Sequence, residues 1–353
     1  MKHSKGRVRL GIIGSGAIAE EGYLPAADLV SNIIVTHVVD LDGNRAREVA
    51  NRFEIPNFVT DYREIFGKVD AVVVATPPRS HAKISIDCLN HGLHVLCEKP
   101  LATSLEEAKE MLAVSERTHT HLAVGMVRRM TWSSQTLRKL LKLGVLGTIH
   151  RFDVEEGWEF TWPLRTGYLF QTRDSKGVIA DTGTHLFDLL LWILDGRSAQ
   201  VISCEDDNWG GIEANAVVEL EVETSARRVT GRIELSFTRR LRNTMKFHGE
   251  KGCLEAATVG AYEMYFSPSG HKGSPLILKP QDAKPRKRYD DFVTQLSTFV
   301  NSINNNSKDY VTADEALKSM AIIEECYRKR KLAAQSWVKK HLESFFENTR
   351  DKY

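Results

Sequence analysis

The stretch "VDAVVVATPP", residues 69–78, is apolar at nearly every position and stops at two prolines. A strand with one wet face alternates apolar and polar side chains, so a run without alternation reads as a strand covered on both faces, as in a parallel sheet. The flanking segments supply the crossovers that parallel neighbours require. "RVRLGII" (7–13) and "IIVTHVVD" (33–40) read as earlier strands, and "NRAREVANRF" (44–53) as a helix. Beyond the run, "SHAKISIDCLNHG" reads as a helix closed by Gly92 and "LHVLCEKP" as a strand broken at Pro100. "TSLEEAKEMLAVSER" is a helix with Ser104 and Glu107 at capping-box spacing and Leu105, Ala108 and Leu112 along one face. "HLAVGMVRRM" adds a strand that leaves Arg128 and Arg129 at its carboxyl end. Alternating strand and helix predicts an α/β fold with a doubly wound parallel sheet, which binds ligands at the carboxyl edge of its strands.

Between the first strand and the next helical pattern lies "GSGAIA", Gly14 to Ala19. In a GxGxxA loop, Gly14 allows the tight turn, Gly16 lets backbone approach a pyrophosphate, and Ala19 keeps helix and strand close. Alone, such a pattern is also an ordinary turn. The second strand ends at Asp40, whose carboxylate suits both hydroxyls of an adenosine ribose and repels a 2'-phosphate, so NAD is preferred over NADP. Asp40 or Asp42 as a plain cap for the following helix is the competing reading, and Arg45 is of a type that serves a 2'-phosphate.

The formal charge is +2, with 48 basic and 46 acidic residues. Such a balance offers no broad attraction to nucleic acid or anionic membrane, and leaves a small molecule as the expected partner. Five cysteines, Cys88, Cys97, Cys204, Cys253 and Cys326, are scattered without CxxC spacing. This argues against a disulfide framework or a zinc site, and no metal is expected. The basic start lacks an apolar signal core and the longest apolar stretch is too short and too charged to span a bilayer, which predicts a soluble, unprocessed, cytoplasmic protein.

After "LGTIHRFDVEEGWEF" the pattern changes. "QVISCEDD", "AVVELEVET", "RVTGRIELSF", "NTMKFHGEKGCLEA" and "YEMYFS" show period-two segments with turn signals such as "GEKG" and "SPSG". These predict a large, mainly antiparallel sheet in a second, α+β unit. The expected division is a dinucleotide-binding part over 1–127 and a substrate and oligomerisation part over 128–353. "DDFVTQLSTFVNSINNN" reads as an amphipathic helix with Phe292, Leu296, Phe299 and Ile303 on one face, "TADEALKSMAIIEECYRKR" as another, and Trp337, Leu342 and Phe345 beyond it as cover for a neighbouring subunit or part of a flexible tail.

In "DTGTHLFDLL", Asp181, His185 and Asp188 stand in an apolar helical run. Residues four apart share a helix face, so Asp181 and His185 can point into one cleft. "GSGAIA", Asp40, "ATPPRSH", "EKPLA", "VGMVRRM" and "DTGTHLFDLLLWIL", in this order, resemble the Gfo/Idh/MocA family of NAD(P)-dependent oxidoreductases over nearly the whole chain. The resemblance implies an N-terminal Rossmann domain and a C-terminal α/β domain whose sheet carries substrate on one face and often a subunit contact on the other. It implies a homo-oligomer, dimer or tetramer, and a sugar, inositol or nucleotide sugar as substrate. It also implies catalytic roles for Lys99, Asp181 and His185.

The chemistry fits those roles. Oxidising a secondary alcohol requires a base for the hydroxyl proton while hydride leaves for nicotinamide, and a histidine near neutrality suits this. Lys99 is placed to stabilise an alkoxide, and Asp181 to bond substrate or Lys99. A satisfied core histidine, a surface Lys99 and Asp181 as an N-cap are the plainer alternatives. Asp188 reads as a support for His185 or as a solvent-facing residue. Cofactor contacts are expected from Gly14, Gly16, Ala17, Ile18, Asp40, Arg45, Thr76, Pro77, His81, Glu98 and Lys99. Substrate contacts are expected from Lys99, Arg128, Asp181 and His185, with Arg165 and Tyr168 on the loop "TWPLRTGYLFQTRDSKG", where Arg165 and Arg173 also read as plain solvated charges. The expected activity is NAD-dependent hydride transfer at a CH–OH group. Redox-neutral glycoside hydrolysis with NAD and a non-catalytic NAD-sensing regulator are the alternatives.

Overall fold

The structure, a computed structural model, describes residues 7–159, 176–208, 212–260, 263–280, 287 and 289–333. Strands β1 (Val8–Ile13), β2 (Ile33–Val39), β3 (Asn57–Val59), β4 (Ala71–Val74), β5 (His94–Glu98) and β6 (Leu122–Gly125) form one sheet in the order β3-β2-β1-β4-β5-β6. Every pairing in it is parallel. All four residues of β4 are buried, as an unalternating run requires. The order reverses between β1 and β4, which opens a crevice at their carboxyl ends.

Helices α1 (Leu24–Ala27), α2 (Gly43–Arg52), α3 (His81–Asn90) and α4 (Leu105–Thr118) cover the two faces. Leu10, Ile12 and Val73 pack with Ala46 and Val49 of α2 on one side. Ile13, Val72 and Val74 pack with Leu89 of α3 and Met111 of α4 on the other. Asp42 caps α2 by accepting from the N–H groups of Asn44 and Arg45. At α4, Ser104 Oγ accepts from Glu107 N at 3.2 Å, but the Glu107 carboxylate reaches Thr103 N and Oγ1 rather than the N-cap itself.

Two segments differ from expectation. The chain after the glycine loop makes a π turn over Ala19–Tyr23, with Leu24 N bonded to Ala19 O, before the four-residue α1. Pro25 stands near the start of that helix and has no N–H to give Glu21 O four residues back, so an α-type bond is missing from the turn that takes π geometry. The last strand stops at Gly125, and Val127–Met130 forms a 3₁₀ turn, so Arg128 and Arg129 sit on a turn rather than a strand end.

Helix α5 (Trp132–Lys142), strand β7 (Ile149–Gly157) and helix α6 (Val178–Leu194) begin the second unit. Strands β8 (Ser198–Asp206), β9 (Asn215–Glu223), β10 (Arg228–Ser236), β11 (Thr244–Gly249), β12 (Gly252–Ala257), β13 (Met264–Pro268), β14 (Leu276–Leu278) and β15 (Arg330–Leu332) complete a second sheet. Its order is β14-β13-β12-β11-β7-β10-β9-β8-β15, antiparallel except at β7–β10 and β8–β15. Phe152, Val154, Val218, Leu220, Ile233 and Leu235 alternate inward against Leu186, Leu189 and Leu190 of α6.

Helices α7 (Asp290–Asn305) and α8 (Ala313–Lys329) lead back to the first sheet. Phe292, Leu296 and Phe299 of α7 lie in one core with Leu10, Tyr23 and Leu24. Helix α8 opens with a capping box of Thr312 and Glu315. Its Ala316 and Met320 pack on the first sheet and its Ile322, Ile323 and Cys326 on the second, so α8 spans both cores. Arg165, Tyr168, Arg173, Trp337, Leu342 and Phe345 lie outside the described residues. Among the described residues, no helix is long and apolar enough to cross a membrane, and no cluster of His, Cys, Asp and Glu is grouped to hold a metal.

Candidate active site

The crevice begins at the glycine loop. Gly14 has φ +95°, and a Cβ there would lie 2.7 Å from the backbone of Ala75 at the end of β4. A side chain is excluded on both counts. A Cβ on Gly16, by contrast, would meet nothing within 4 Å, so the loop presents open backbone there. Ala17 and Ile18 follow half-buried, and Ala19 is fully buried against the strand. Asp40 Oδ2 accepts from Ser15 N at 3.0 Å and Ser15 Oγ at 2.6 Å, while Oδ1 accepts from Asp42 N at 3.1 Å. The end of β2 is thereby tied to the loop. Arg45 bonds Ser15 O through Nε at 2.9 Å and lies 3.8 Å from Glu20, which also pairs with Arg52. A bare glycine corner beside a fixed strand-end carboxylate fits the phosphates and ribose of a dinucleotide.

Across the crevice stand the residues on which the sequence converges. Lys99 follows directly on β5, and its Nζ donates to Asp181 Oδ1 at 2.6 Å and to Asp181 O at 3.3 Å. Asp181 does not cap α6. The helix starts at Gly177, and Glu213 serves its N-terminus: Glu213 O accepts from Val178 N at 3.0 Å and Glu213 Oε1 from Ile179 N at 3.2 Å. Asp181 is left to hold the ammonium.

His185, one turn on, is 9% exposed, and its Nδ1 is buried with no hydrogen-bond partner. Its pKa is pushed well below the usual histidine value, first by burial and then by the positive charges of Arg128 and Lys99. The sequence-based expectation of a histidine near neutrality is therefore corrected: the imidazole is neutral and holds a lone pair, but in the closed fold it resists charging. A core histidine satisfied by neighbours would not leave Nδ1 bare.

The remaining predicted residues have partners of their own. Arg128 donates to Glu156 Oε2 at 2.7 Å, and Glu156 is fully buried. Asp188 neither supports His185 nor faces solvent. It accepts both arms of the Arg129 fork, Nε at 2.8 Å and Nη2 at 2.6 Å. Glu98 turns inward instead of lining the cofactor crevice: Tyr23 OH donates to its Oε1 at 2.5 Å, Gln295 Nε2 donates to Tyr23 OH at 2.9 Å, and Lys99 N donates to Glu98 Oε2 at 3.1 Å. Burial pushes the Glu98 pKa up, against the pull of Tyr23 and Lys99.

His81 likewise stands behind the crevice wall, fully buried, with Nδ1 2.8 Å from Pro100 O and Nε2 2.7 Å from Thr76 O. Burial pushes its pKa down although two carbonyls favour the doubly protonated ring. Thr76 and Pro77 form the turn after β4, where Thr76 Oγ1 accepts from Ser80 Oγ at 2.8 Å and Pro77 O accepts from Ser80 N at 3.0 Å.

Tyr23, Glu156, Glu213 and Gln295 were not anticipated. Glu156 shares a β7 face with Phe152 and Val154, and Gln295 interrupts the apolar stripe of α7, so a polar residue on an apolar face was the available signal for both. Nothing comparable marks Tyr23 or Glu213.

Comparison with known proteins decides the family. Residues 8–126 match the model of the oxidoreductase family with an NAD-binding Rossmann fold, and residues 134–255 match that of the GFO/IDH/MocA C-terminal domain. The chain belongs to the Gfo/Idh/MocA family of oxidoreductases. Among Gfo/Idh/MocA relatives, the rhizopine catabolism protein MocA of Rhizobium meliloti is 30% identical over 188 residues, 53% of this chain and 57% of that protein. The myo-inositol 2-dehydrogenase of Thermotoga maritima is 24% identical over 94% of this chain and 98% of its own length. Among solved structures, KijD10, a 3-ketoreductase from Actinomadura kijaniata in complex with NADP and TDP-benzene, superposes with a TM-score of 0.80 at 20% identity, covering 93% of this chain and 99% of that one. At that identity the likeness concerns the Gfo/Idh/MocA fold alone.

Proposed function

We propose that this Gfo/Idh/MocA protein transfers hydride between a nicotinamide dinucleotide and a secondary alcohol or ketone carbon of a sugar or cyclic polyol. The observation that carries the reading is the convergence of Lys99 from the first unit with Asp181 and His185 of α6. Gly14, Gly16, Ala17 and Ile18 would hold the phosphates, Asp40 the ribose, and Thr76 and Pro77 the neighbouring wall. When bound, the nicotinamide supplies the acceptor or donor of hydride.

The chain's own task is the proton and the charge on oxygen. As a substrate hydroxyl is oxidised, its proton passes to the neutral His185 ring, and the Lys99 ammonium, oriented by Asp181, stabilises negative charge developing on that oxygen. In the reducing direction, protonated His185 returns the proton.

The charge pattern of the cleft supports a neutral polyol or sugar. Each of Lys99, Arg128 and Arg129 is paired with a carboxylate, and the names of the relatives point to the same class. Asp40 at the end of β2 and Arg45 drawn to Ser15 and Glu20 support NAD over NADP, in contrast to the cofactor in the KijD10 complex. Our reading further includes a substrate part that starts after residue 127, with Arg165 and Tyr168 contributing to it. It also includes a cytoplasmic setting, supported by five free cysteines, and a homo-oligomer assembled through the sheet face opposite α6. Light scattering on the purified protein tests the assembly.

The activity is tested by following the NADH absorbance band with inositols, sugars and nucleotide sugars in both directions. Turnover of a neutral polyol or sugar with NAD is expected. A silent panel, or cleavage of a chromogenic glycoside without net change in NADH, overturns the reading.

A further inference from the structure

The catalytic helix has to be held at a fixed angle to the nucleotide sheet, because Asp181 and His185 ride on α6 while Lys99 and the glycine loop belong to the first sheet. One contact couples these two bodies through buried charge. Arg129, on the turn that follows β6, is 5% exposed, and Asp188, one turn beyond His185, is 2% exposed. Their bond is bidentate, 2.8 and 2.6 Å, the geometry in which a guanidinium fixes both position and plane. The third arm of the fork, Nη1, reaches Glu315 Oε1 at 2.6 Å, in the first turn of α8. The guanidinium lies 5.6 Å from the ring of Trp192, the next residue but three on α6. The carbonyl of Arg129 accepts from Gln135 Nε2 of α5 at 2.6 Å. A single side chain thus ties the end of β6 to α6 and α8, and its carbonyl ties the same turn to α5.

Hydrophobic packing alone would also bury this spot, and replacing a buried ion pair by apolar residues of similar volume often leaves stability unchanged or raised. What apolar packing does not reproduce is direction: a fork on a carboxylate restricts rotation and sliding of α6, whereas leucine against methionine permits both. We propose that Arg129 and Asp188 are positioning residues, a clamp that sets the orientation of the α6 catalytic face relative to Lys99. The clamp touches neither substrate nor cofactor. It acts through the helix, at a site where displacement of a reacting group by about 1 Å costs about 100-fold in rate. This inference rests on the assignment of hydride transfer to the Lys99–Asp181–His185 cleft.

The test uses the full chain with the paired variant Arg129→Met/Asp188→Leu, since Asp188→Leu alone leaves the buried guanidinium with only the partly exposed Glu315 as a carboxylate partner and is expected to fold poorly. Three measurements are made on it: thermal midpoint, steady-state kinetics with NAD and a polyol that the wild type turns over, and amide hydrogen exchange across residues 178–194. The expected result is a thermal midpoint at or above wild type and unchanged NAD affinity. Alongside these, kcat falls about 10- to 100-fold with KM altered far less, and amides around Asp181 and His185 exchange faster. Arg129→Lys, which keeps the charge but not the fork, is expected to lie between the two. A stable double variant with wild-type kcat and wild-type exchange overturns the clamp. If the wild type itself proves inactive on every substrate, the functional reading falls, and the exchange measurement still decides whether the pair fixes α6.

Discussion

Replacing Lys99 by methionine removes the ammonium and keeps most of the side chain's volume. In the structure Nζ is held by Asp181 Oδ1 at 2.6 Å and Asp181 O at 3.3 Å, and the lysine side chain is 17% exposed. A fully solvated lysine would be replaced by water at little cost, because exposed ion pairs contribute about 0–1 kcal/mol. At this degree of burial, the comparison is with loss of a preorganised donor to a developing oxyanion, about 2.7–4 kcal/mol or about 100- to 1,000-fold in kcat. The effect on folding should be far smaller. Asp181 remains 27% exposed and can be rehydrated, so about 1 kcal/mol or less is expected.

The substitution also removes one of the two charges that depress the His185 pKa. The His185 titration should therefore move upward, toward the ordinary value. Stopped-flow absorbance of NADH under single-turnover conditions measures the chemical step, fluorescence quenching measures NAD affinity, and proton NMR of the imidazole reads the titration. A Lys99→Met variant with kcat within a few-fold of wild type, or an unmoved His185 titration in a folded protein, refutes the reasoning.

Three further expectations follow from the same geometry. In wild type, His185 takes up its proton only well below its unfolded value near 6.5, so between these pH values the unfolded chain binds more protons and stability rises with pH; His185→Gln should flatten that rise in a comparison of thermal midpoints between about pH 5 and 7. Asp40→Ala removes the carboxylate bonded to Ser15, and should weaken NAD binding by about tenfold while weakening NADP binding less; equal losses for both cofactors would show that Asp40 serves only the loop. Tyr23→Phe takes a donor from the buried Glu98 and leaves Gln295 Nε2 without its acceptor, so chemical denaturation should show a loss of about 1–3 kcal/mol.

Much of the fold was legible because burial writes itself into local patterns. The unalternating "AVVV" of β4 and the period-two segments of β9 and β10 each state how many of their faces are wet. The pairing of Asp181 and His185 was legible for the same reason, since four residues of α-helix bring two side chains to one face. Partners that meet only after folding left no such trace. Gln295 and Tyr23 are 272 residues apart, and Arg129 and Asp188 are 59 apart, with no periodicity linking them. Asp188 stands in plain view as a charge in an apolar helix, yet its partner Arg129 lies beyond the end of a strand in the other unit, where no local pattern points to the pairing. The π turn escaped because Pro25, which removes an α-type bond from the turn before it, acts on hydrogen bonds and not on the apolar pattern. Strands β14 and β15, three residues each, are too short to alternate.

The return of α7 across the first sheet bears on how the protein is made. Phe292, Leu296 and Phe299 belong to the same core as Leu10 and Tyr23, so a ribosome that has released the first 127 residues has delivered all six parallel strands and α1 to α4, but not α7, which completes the cover of one face. At roughly 5–20 residues per second, that face would wait on the order of ten seconds or more for its lid. Apolar surface left bare over such an interval is a binding site for chaperones, and an excised N-terminal fragment would carry the same defect permanently.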